Sequence, residues 1–339
     1  MNYPLVSKLL GVAMLILTVA FAVCLGVSFL MDSPREAPVT RSAFIGAAGL
    51  SLFSALLFFW VGRRHTKKFF RKEALCTIGL AWLLASLLGA IPYLVVIPEA
   101  GFSGAIFESA SGLTTTGASV LSNLEQYPPS LMFWRSLSQW IGGMGVVVFF
   151  VAVLGFIGVG GRMLYAHEAS GTVSEFEESR IQSTVVRLVW VYLGLSTACA
   201  LCYWLAGMSV FDAINHSFTT VSTGGFSTRT ASIAAFESNS IEWICILFMT
   251  LGGVSFIIFT SFLAGRFGFL RRNTEFIAYF IILAGATALI ATALSIDGTA
   301  PNLHDAIRDA AFQVSSIMTT TGFATEDYVL WSALAQMTL

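Results

Sequence analysis

Residues 109–121 read SASGLTTTGASVL, a run of hydroxyl side chains and glycines between long apolar stretches. The chain has 339 residues, of which 56% are hydrophobic and only 11% charged, whereas soluble domains carry about 25% charged residues. This composition predicts an all-α polytopic membrane protein. In such a protein, backbone that is not helical must be buried in protein or must line a water-filled path. The polar stretch therefore calls for one of these two explanations.

The same kind of stretch occurs three times in the chain. With Gly117, Gly225 and Gly322 superposed, three segments align without gaps: GAIFESASGLTTTGAS from 104, DAINHSFTTVSTGGFS from 212 and DAAFQVSSIMTTTGFA from 309. The three glycines are 108 and 97 residues apart. A repeat of this length predicts structural units of the same kind, each a helix, a short re-entrant helix with a polar loop, and a second helix.

Seven apolar segments are close to or above the roughly 20 residues that a membrane-spanning helix needs. They are 5–31, 42–62, 74–98, 131–161, 181–207, 241–265 and 275–296. The first two precede the repeat and predict an accessory hairpin in residues 1–68. The rest predict pore unit 1 in 69–170, pore unit 2 in 171–270 and an incomplete pore unit 3 in 271–339.

The basic residues predict the orientation of these segments, because lysine and arginine are enriched in cytoplasmic loops. Most of them lie near the N-terminus or in three connections, around 63–72, 162–187 and 266–272. The N-terminus is therefore predicted to be cytoplasmic and the three glycine loops to face outward. The outer segments carry more acidic than basic residues, which would concentrate cations, although acidic residues also simply solvate outer loops.

Hydroxyl-rich loops at membrane depth predict a cation filter, since ring-like sets of carbonyl oxygens can replace the hydration shell of potassium. Glycine adopts the backbone conformations that such loops need. The alternative for a single copy is a helix end followed by a glycine cap, which three copies in register argue against. Which of Gly224 and Gly225 carries the key carbonyl stays open. The candidate potassium ligands, mainly through backbone carbonyls, are Thr114, Thr115, Thr116, Gly117, Ser222, Thr223, Gly224, Gly225, Thr319, Thr320, Thr321 and Gly322.

Two other sets of residues predict local packing. Glu108, His216 and Gln313 each lie nine positions before a repeat glycine, and we expect them to brace the short helices. GGMG at 142–145 lies in an apolar segment, where small residues allow helices to approach closely.

The sequence offers no paired aspartates, serine–lysine or serine–histidine pair, or histidine cluster within its apolar segments, as an intramembrane enzyme would require. We expect no enzymatic activity, no cofactor apart from the transported ion and no nucleic-acid partner. A purely structural membrane protein is the other alternative, but it would not need three polar loops.

The motifs SGLTTTGAS, QWIGGMGVVV, STGGFSTRTASI and TTTGF resemble the potassium-translocating subunits of the Trk/Ktr/HKT superfamily, most nearly its bacterial TrkH branch. The resemblance implies potassium uptake across the bacterial inner membrane, by channel-like conduction or by symport coupled to sodium or protons. It implies a homodimer and a cytosolic nucleotide-binding regulatory partner of the TrkA type. In related plant transporters a serine at the first filter glycine goes with sodium preference, so Gly117 implies potassium.

The resemblance also implies four pore units around a pseudo-fourfold pore, with one key glycine in each loop. This sequence contains three such loops and ends at Leu339. It is therefore expected to be C-terminally truncated relative to the family, with pore unit 4 absent.

Overall fold

The computed structural model describes residues 1–63, 71–145, 173–255, 273–339 and the single positions 258, 259, 262 and 265. Across these ranges the regular structure is helical and contains no strand, which confirms the predicted all-α class. The helices are α1 (Tyr3–Met31), α2 (Ala37–Gly62), α3 (Arg71–Gly89), α4 (Ile91–Val96), α5 (Gly101–Leu113), α6 (129–145), α7 (Val173–Leu205), α8 (Val210–Val221), α9 (Asn239–Gly252), α10 (Thr274–Ile296), α11 (Leu303–Met318) and α12 (Ala333–Thr338). Short 3-10 turns occupy Pro98–Ala100, Leu124–Gln126, Ser232–Phe236 and Tyr328–Leu330.

Five of the seven predicted spans have described helices of sufficient length and hydropathy to cross a membrane. They are Tyr3–Met31, Ala37–Gly62, Lys72–Val96, Val185–Leu205 and Thr274–Ile296. The other two segments, 131–161 and 241–265, are described only in part, as helices α6 and α9. Their remaining residues, like most of the basic residues that predict the orientation, lie outside the described ranges. The pseudo-fourfold arrangement stays a prediction.

The first compact unit comprises Met1–Thr114, Ala118–Leu121 and Gln126–Val189. Its N-terminal hairpin packs α1 against α2 and is joined by polar contacts between the two helices. Ser7 Oγ donates to the carbonyl of Phe58 at 2.9 Å and Ser51 Oγ to that of Met14 at 2.7 Å. Such bonds and close approaches, rather than apolar burial, hold helices together in lipid.

Helix α3 is interrupted before α4, so the third span is a bent helix. Pro92 follows the break and lacks the N–H that would continue the hydrogen-bond ladder. The carbonyl of Gly89 at the break accepts a hydrogen bond from Trp134 Nε1 at 3.1 Å. A Cβ at Gly89 would fall on Ser109 Oγ and lie 3.0 Å from the Trp134 ring. The bend is therefore matched to the helices α5 and α6 that pack beside it.

The second compact unit comprises Thr115–Gly117, Ser122–Glu125 and Trp190–Leu339. Within it α8 packs on α9, α9 on α11 and α10 on α11. An apolar core between α10 and α11 includes Ile290, Leu294, Ala306 and Ala310, and Trp331 closes it. This packing holds the two short helices α8 and α11 in place.

Candidate functional site

A short helix leads into each of the three hydroxyl-rich segments, as the repeat predicts. We call these segments the first, second and third tracts: residues 114–117, 222–225 and 319–322. Helix α5 ends at Leu113, α8 at Val221 and α11 at Met318. The next residue in each case caps the helix: Thr114, Ser222 and Thr319. The three tracts therefore begin at equivalent positions of equivalent helices.

The residue after each cap is a threonine with a left-handed backbone. Thr115, Thr223 and Thr320 have φ angles of 55°, 51° and 59°. This conformation costs a residue with a Cβ about 1 to 2 kcal/mol, so it persists only where the surroundings impose it. Glycine is the usual residue at such a helix end. The simple glycine cap considered for a single copy is therefore wrong in detail, because the left-handed residue that follows the cap is threonine in all three copies.

Backbone hydrogen bonds fix this strained turn after α8. Thr223 N donates to Thr220 O at 3.1 Å and Gly224 N to Thr219 O at 2.9 Å. These two bonds form the Schellman pattern that closes helix C-termini. After α11 the same pattern recurs, with Thr320 N bonded to Ile317 O and Thr321 N to Ser316 O.

The repeat glycines have left-handed backbones two residues further on. Gly117, Gly225 and Gly322 have φ angles of 75°, 77° and 80°, whereas Gly224 is not among the residues with positive φ. Left-handed residues thus alternate with right-handed or extended ones in each tract. Gly225 is the glycine that matches Gly117 and Gly322 in conformation.

The three tracts approach one another in the second unit at their glycines. A Cβ built on Gly117 would fall on the carbonyl oxygen of Gly224 and lie 3.6 Å from that of Thr321. A Cβ built on Gly225 would fall on the carbonyl oxygen of Thr321. Among the described residues, nothing lies within 4 Å of a Cβ built on Gly322. The backbone of the first tract therefore lies against that of the second, and the backbone of the second against that of the third.

The segments that follow the first and second tracts are hydrogen-bonded to each other. The Glu125 carboxylate accepts from Thr230 N at 2.8 Å and from Thr230 Oγ1 at 2.6 Å. Leu124 N donates to Thr230 Oγ1 at 2.8 Å. The bonds from Thr230 hold the pKa of Glu125 below its ordinary value of 4.5.

The segments that follow the second and third tracts are also bonded. Ala234 N donates to Ala324 O at 3.4 Å, and Ala324 N donates to Ser232 Oγ at 3.3 Å. The tracts are therefore joined in the same order beyond their glycines as at the glycines. Sequence reasoning missed these contacts between tracts, because they join residues about 100 positions apart with no local signal.

The three polar residues expected to brace the short helices are buried, and each bonds to the chain that follows the tract of its own repeat. Glu108, His216 and Gln313 are 0%, 0% and 1% exposed. His216 Nε2 lies 2.9 Å from Ser227 Oγ, and Gln313 Nε2 donates to Glu326 O at 3.3 Å.

Glycines of the second helices make room for the ends of the short helices. A Cβ at Gly142 in α6 would fall on the carbonyl oxygen of Leu113, the last residue of α5. A Cβ at Gly252 in α9 would lie 3.1 Å from the carbonyl oxygen of Val221, the last residue of α8. Close packing at the GGMG motif is therefore confirmed for Gly142.

The donors that these tracts offer a cation are oxygen atoms. Among the described residues no group of three or more His, Cys, Asp or Glu side chains could hold a metal ion. What the tracts present instead are carbonyls and hydroxyls. Oxygen ligands without thiolates or imidazoles suit hard cations.

Helices of spanning length and three repeated polar tracts that meet at glycines define a membrane transport protein of the pore-loop class. The chain belongs to the TrkH family of cation transport proteins, whose pattern matches residues 39–339. It is 32% identical over 336 residues to the Trk system potassium uptake protein TrkH of Vibrio parahaemolyticus, covering 98% of this chain and 68% of that protein. It is 35% identical over 339 residues to the TrkH protein of Halomonas elongata, again covering 98% and 68%.

The fold agrees with that of a solved family member. The crystal structure of the potassium transporter TrkH from Vibrio parahaemolyticus matches with a TM-score of 0.87 and 31% sequence identity, over 100% of this chain and 69% of that one. Family membership confirms the resemblance drawn from the motifs. It places the chain among membrane-embedded cation transport proteins and not among enzymes, and the transport they perform requires no cofactor.

Proposed function

We propose that this chain takes up potassium ions across a bacterial inner membrane. The ions pass in single file along backbone carbonyls and hydroxyls of residues 114–117, 222–225 and 319–322. One observation carries the proposal: glycines with left-handed backbones bring peptide groups of three equivalent tracts into contact. The relatives named Trk system potassium uptake proteins support potassium as the ion.

The chemistry of the tracts favours potassium uptake through a filter. A dehydrated ion needs several oxygen atoms at fixed positions to replace its water. In this proposal the left-handed residues Thr223 and Gly225, on either side of Gly224, turn successive carbonyls to one side. Glycine at 117 and 225 lets the neighbouring tract come close enough for its carbonyls to share one ion. Of the adjacent pair, Gly225 is assigned as the filter glycine, and the carbonyl of Gly224 faces the first tract.

The unit boundaries follow from the same assignment. One filter tract belongs to each of the units 69–170, 171–270 and 271–339, and residues 1–68 form the accessory hairpin. The tracts face outward and the N-terminus is cytoplasmic. Single cysteines introduced at Glu99 and at Tyr3, in a variant whose five native cysteines are replaced by serine, test this orientation by labelling with a membrane-impermeant reagent. Only the cysteine at 99 reacts in intact cells if the orientation is right.

The resemblance to TrkH proteins also supports two partners, a second copy of the chain and a cytosolic nucleotide-binding regulatory subunit of the TrkA type. Size-exclusion chromatography with light scattering in detergent measures the first. Co-purification with a tagged TrkA-type protein from the same organism measures the second. A monomer without bound regulatory protein would contradict both assignments.

Uptake in a bacterial host that lacks its own potassium systems tests the function directly. The gene that encodes this chain should restore growth at low potassium and potassium uptake. Gly117→Asp and Gly322→Asp should abolish both at unchanged membrane abundance. Gly298→Asp is the matched control, because Gly298 also has a positive φ of 69° but lies exposed in the loop after α10. Normal uptake by the Gly117→Asp and Gly322→Asp variants would overturn the filter assignment.

A further inference from the structure

A fully buried ion pair lies beside the first hydroxyl tract. Arg135 NH2 lies 3.4 Å from Glu108 Oε2, and the two side chains are 2% and 0% exposed. Glu108 projects from the short helix α5, and Arg135 comes from α6, the helix that follows the tract. Burying two charges is costly unless their geometry and their other hydrogen bonds are well satisfied. A pair in this place therefore calls for an explanation.

The pair is hydrogen-bonded to the chain directly after Gly117. Glu108 Oε1 accepts from Val120 N at 2.6 Å and from Ser119 Oγ at 2.7 Å. Arg135 NH2 donates to the same Ser119 Oγ at 3.0 Å. Both charges thus converge on one serine hydroxyl, two residues beyond the glycine. Charge-assisted bonds are shorter and stronger than neutral ones and fix position more tightly.

The chain that follows the second tract is also held by a charged group, but from a different position and through a pair that is only partly buried. Asp212, in the first turn of α8, accepts from Thr228 Oγ1 at 2.6 Å and pairs with the partly exposed Arg229 at 3.0 Å. His216 reaches Ser227, which is also two residues beyond its glycine, through a single bond of 2.9 Å.

In the third repeat Gln313 donates at 3.3 Å to the carbonyl of Glu326, which lies four residues beyond Gly322 rather than two. A buried ion pair at this position occurs in the first repeat only, as far as the described residues show. The backbone hydrogen bonds of the short helices do not explain why the first repeat differs, since α5, α8 and α11 end in the same way.

We infer that Glu108 and Arg135 are positioning residues that set the ion selectivity of the filter by fixing the chain that leaves Gly117. This inference rests on the proposed potassium uptake. The ion pair holds the carbonyls of the first tract at the spacing that potassium needs. A looser tract accommodates the smaller sodium ion, so loss of the pair lowers discrimination before it abolishes transport.

The test compares potassium and sodium uptake per copy of protein in the deficient host. Glu108→Gln keeps the shape and one acceptor oxygen but removes the charge, and should lower the potassium-to-sodium ratio at least tenfold. Ser119→Ala removes the shared hydroxyl without leaving an unpaired charge, and should lower the ratio about threefold. Glu99→Gln is the control, because Glu99 is an exposed acid just before α5. Its ratio should equal that of the wild type.

A double variant separates positioning from stability. Glu108→Gln with Arg135→Gln leaves no unpaired buried charge, so membrane abundance and melting temperature should recover relative to Glu108→Gln alone. The potassium-to-sodium uptake ratio should stay low, because the charge-assisted hydrogen bonds to Ser119 are gone. If the ion pair only stabilised the fold, both the stability and the potassium-to-sodium uptake ratio would recover in the double variant.

The outcomes distinguish this inference from the function on which it rests. If Glu108→Gln does not reach the membrane, Ser119→Ala and the double variant decide. Wild-type ratios in those two would overturn the positioning role while potassium uptake stands. A wild-type protein that neither takes up potassium nor gains thermal stability in potassium over sodium would overturn both.

Discussion

Gly225→Ala is the substitution whose effect follows most directly from the geometry of the filter. The backbone at Gly225 has a φ of 77°, which costs alanine about 1 to 2 kcal/mol. In addition, the new Cβ would fall on the carbonyl oxygen of Thr321. Ordinary carbon–oxygen contacts are about 3.3 Å or longer, so the second and third tracts must separate by about 1.5 Å. Misplacement on this scale costs on the order of 100-fold in sites that depend on fixed geometry.

Gly298→Ala is the matched control for the conformational part of this effect. Gly298 has a φ of 69°, is exposed, and no described atom lies within 4 Å of its Cβ position. This variant should lose only about 1 to 2 kcal/mol of stability and should transport like the wild type. Tracer rubidium uptake per copy, with membrane abundance from an epitope tag, measures both variants. Equal uptake by Gly225→Ala and Gly298→Ala would refute the close approach of the tracts.

Two further substitutions test contacts at the edges of the filter. Gly142→Ala places a Cβ on the carbonyl of Leu113 and should lower uptake about 10-fold or more. Gly145→Ala is the control and should be tolerated, because its Cβ meets Trp82 at an ordinary 3.6 Å. Equal uptake by the two variants would contradict the packing of α5 on α6. Glu125→Gln tests the bond between the first two tracts through its pH dependence. Because the hydrogen bonds from Thr230 lower the folded-state pKa of Glu125, its contribution to stability is present above the ordinary pKa of 4.5 and is lost as pH falls through the lowered value. Melting temperatures between pH 3 and 6 should therefore decline more steeply for the wild type than for Glu125→Gln, and parallel curves would count against the contact.

The helices and the register of the repeat are predictable from the sequence, because both are local signals. Apolar runs such as 5–31 and 275–296 predict spans by length alone, and the alignment of Gly117 with Gly225 and Gly322 places a short helix before each tract. Bends are less predictable. Pro92 is a local signal for the break after α3, but the bond from Trp134 to Gly89 that satisfies the bent backbone depends on tertiary packing.

Contacts between repeats are not predictable from one sequence. The left-handed conformation of Thr223 is an outlier for a β-branched residue, and it goes with the hydrogen bonds that close the end of α8. The bonds from Thr230 to Glu125 join residues without any shared periodicity. Arg135 does carry a signal, since a charged residue within an apolar segment calls for a partner, but its partner Glu108 had to be found in three dimensions.

Whether the three tracts form one ion filter is tested most directly by the position of a bound ion. Anomalous scattering from crystals grown in rubidium locates an ion that substitutes for potassium. If the tracts form one filter, a rubidium peak lies within about 3 Å of the carbonyl oxygens of Gly224 and Thr321, at the level of the repeat glycines. Rubidium bound elsewhere in the protein, with no peak at these carbonyls, would contradict it.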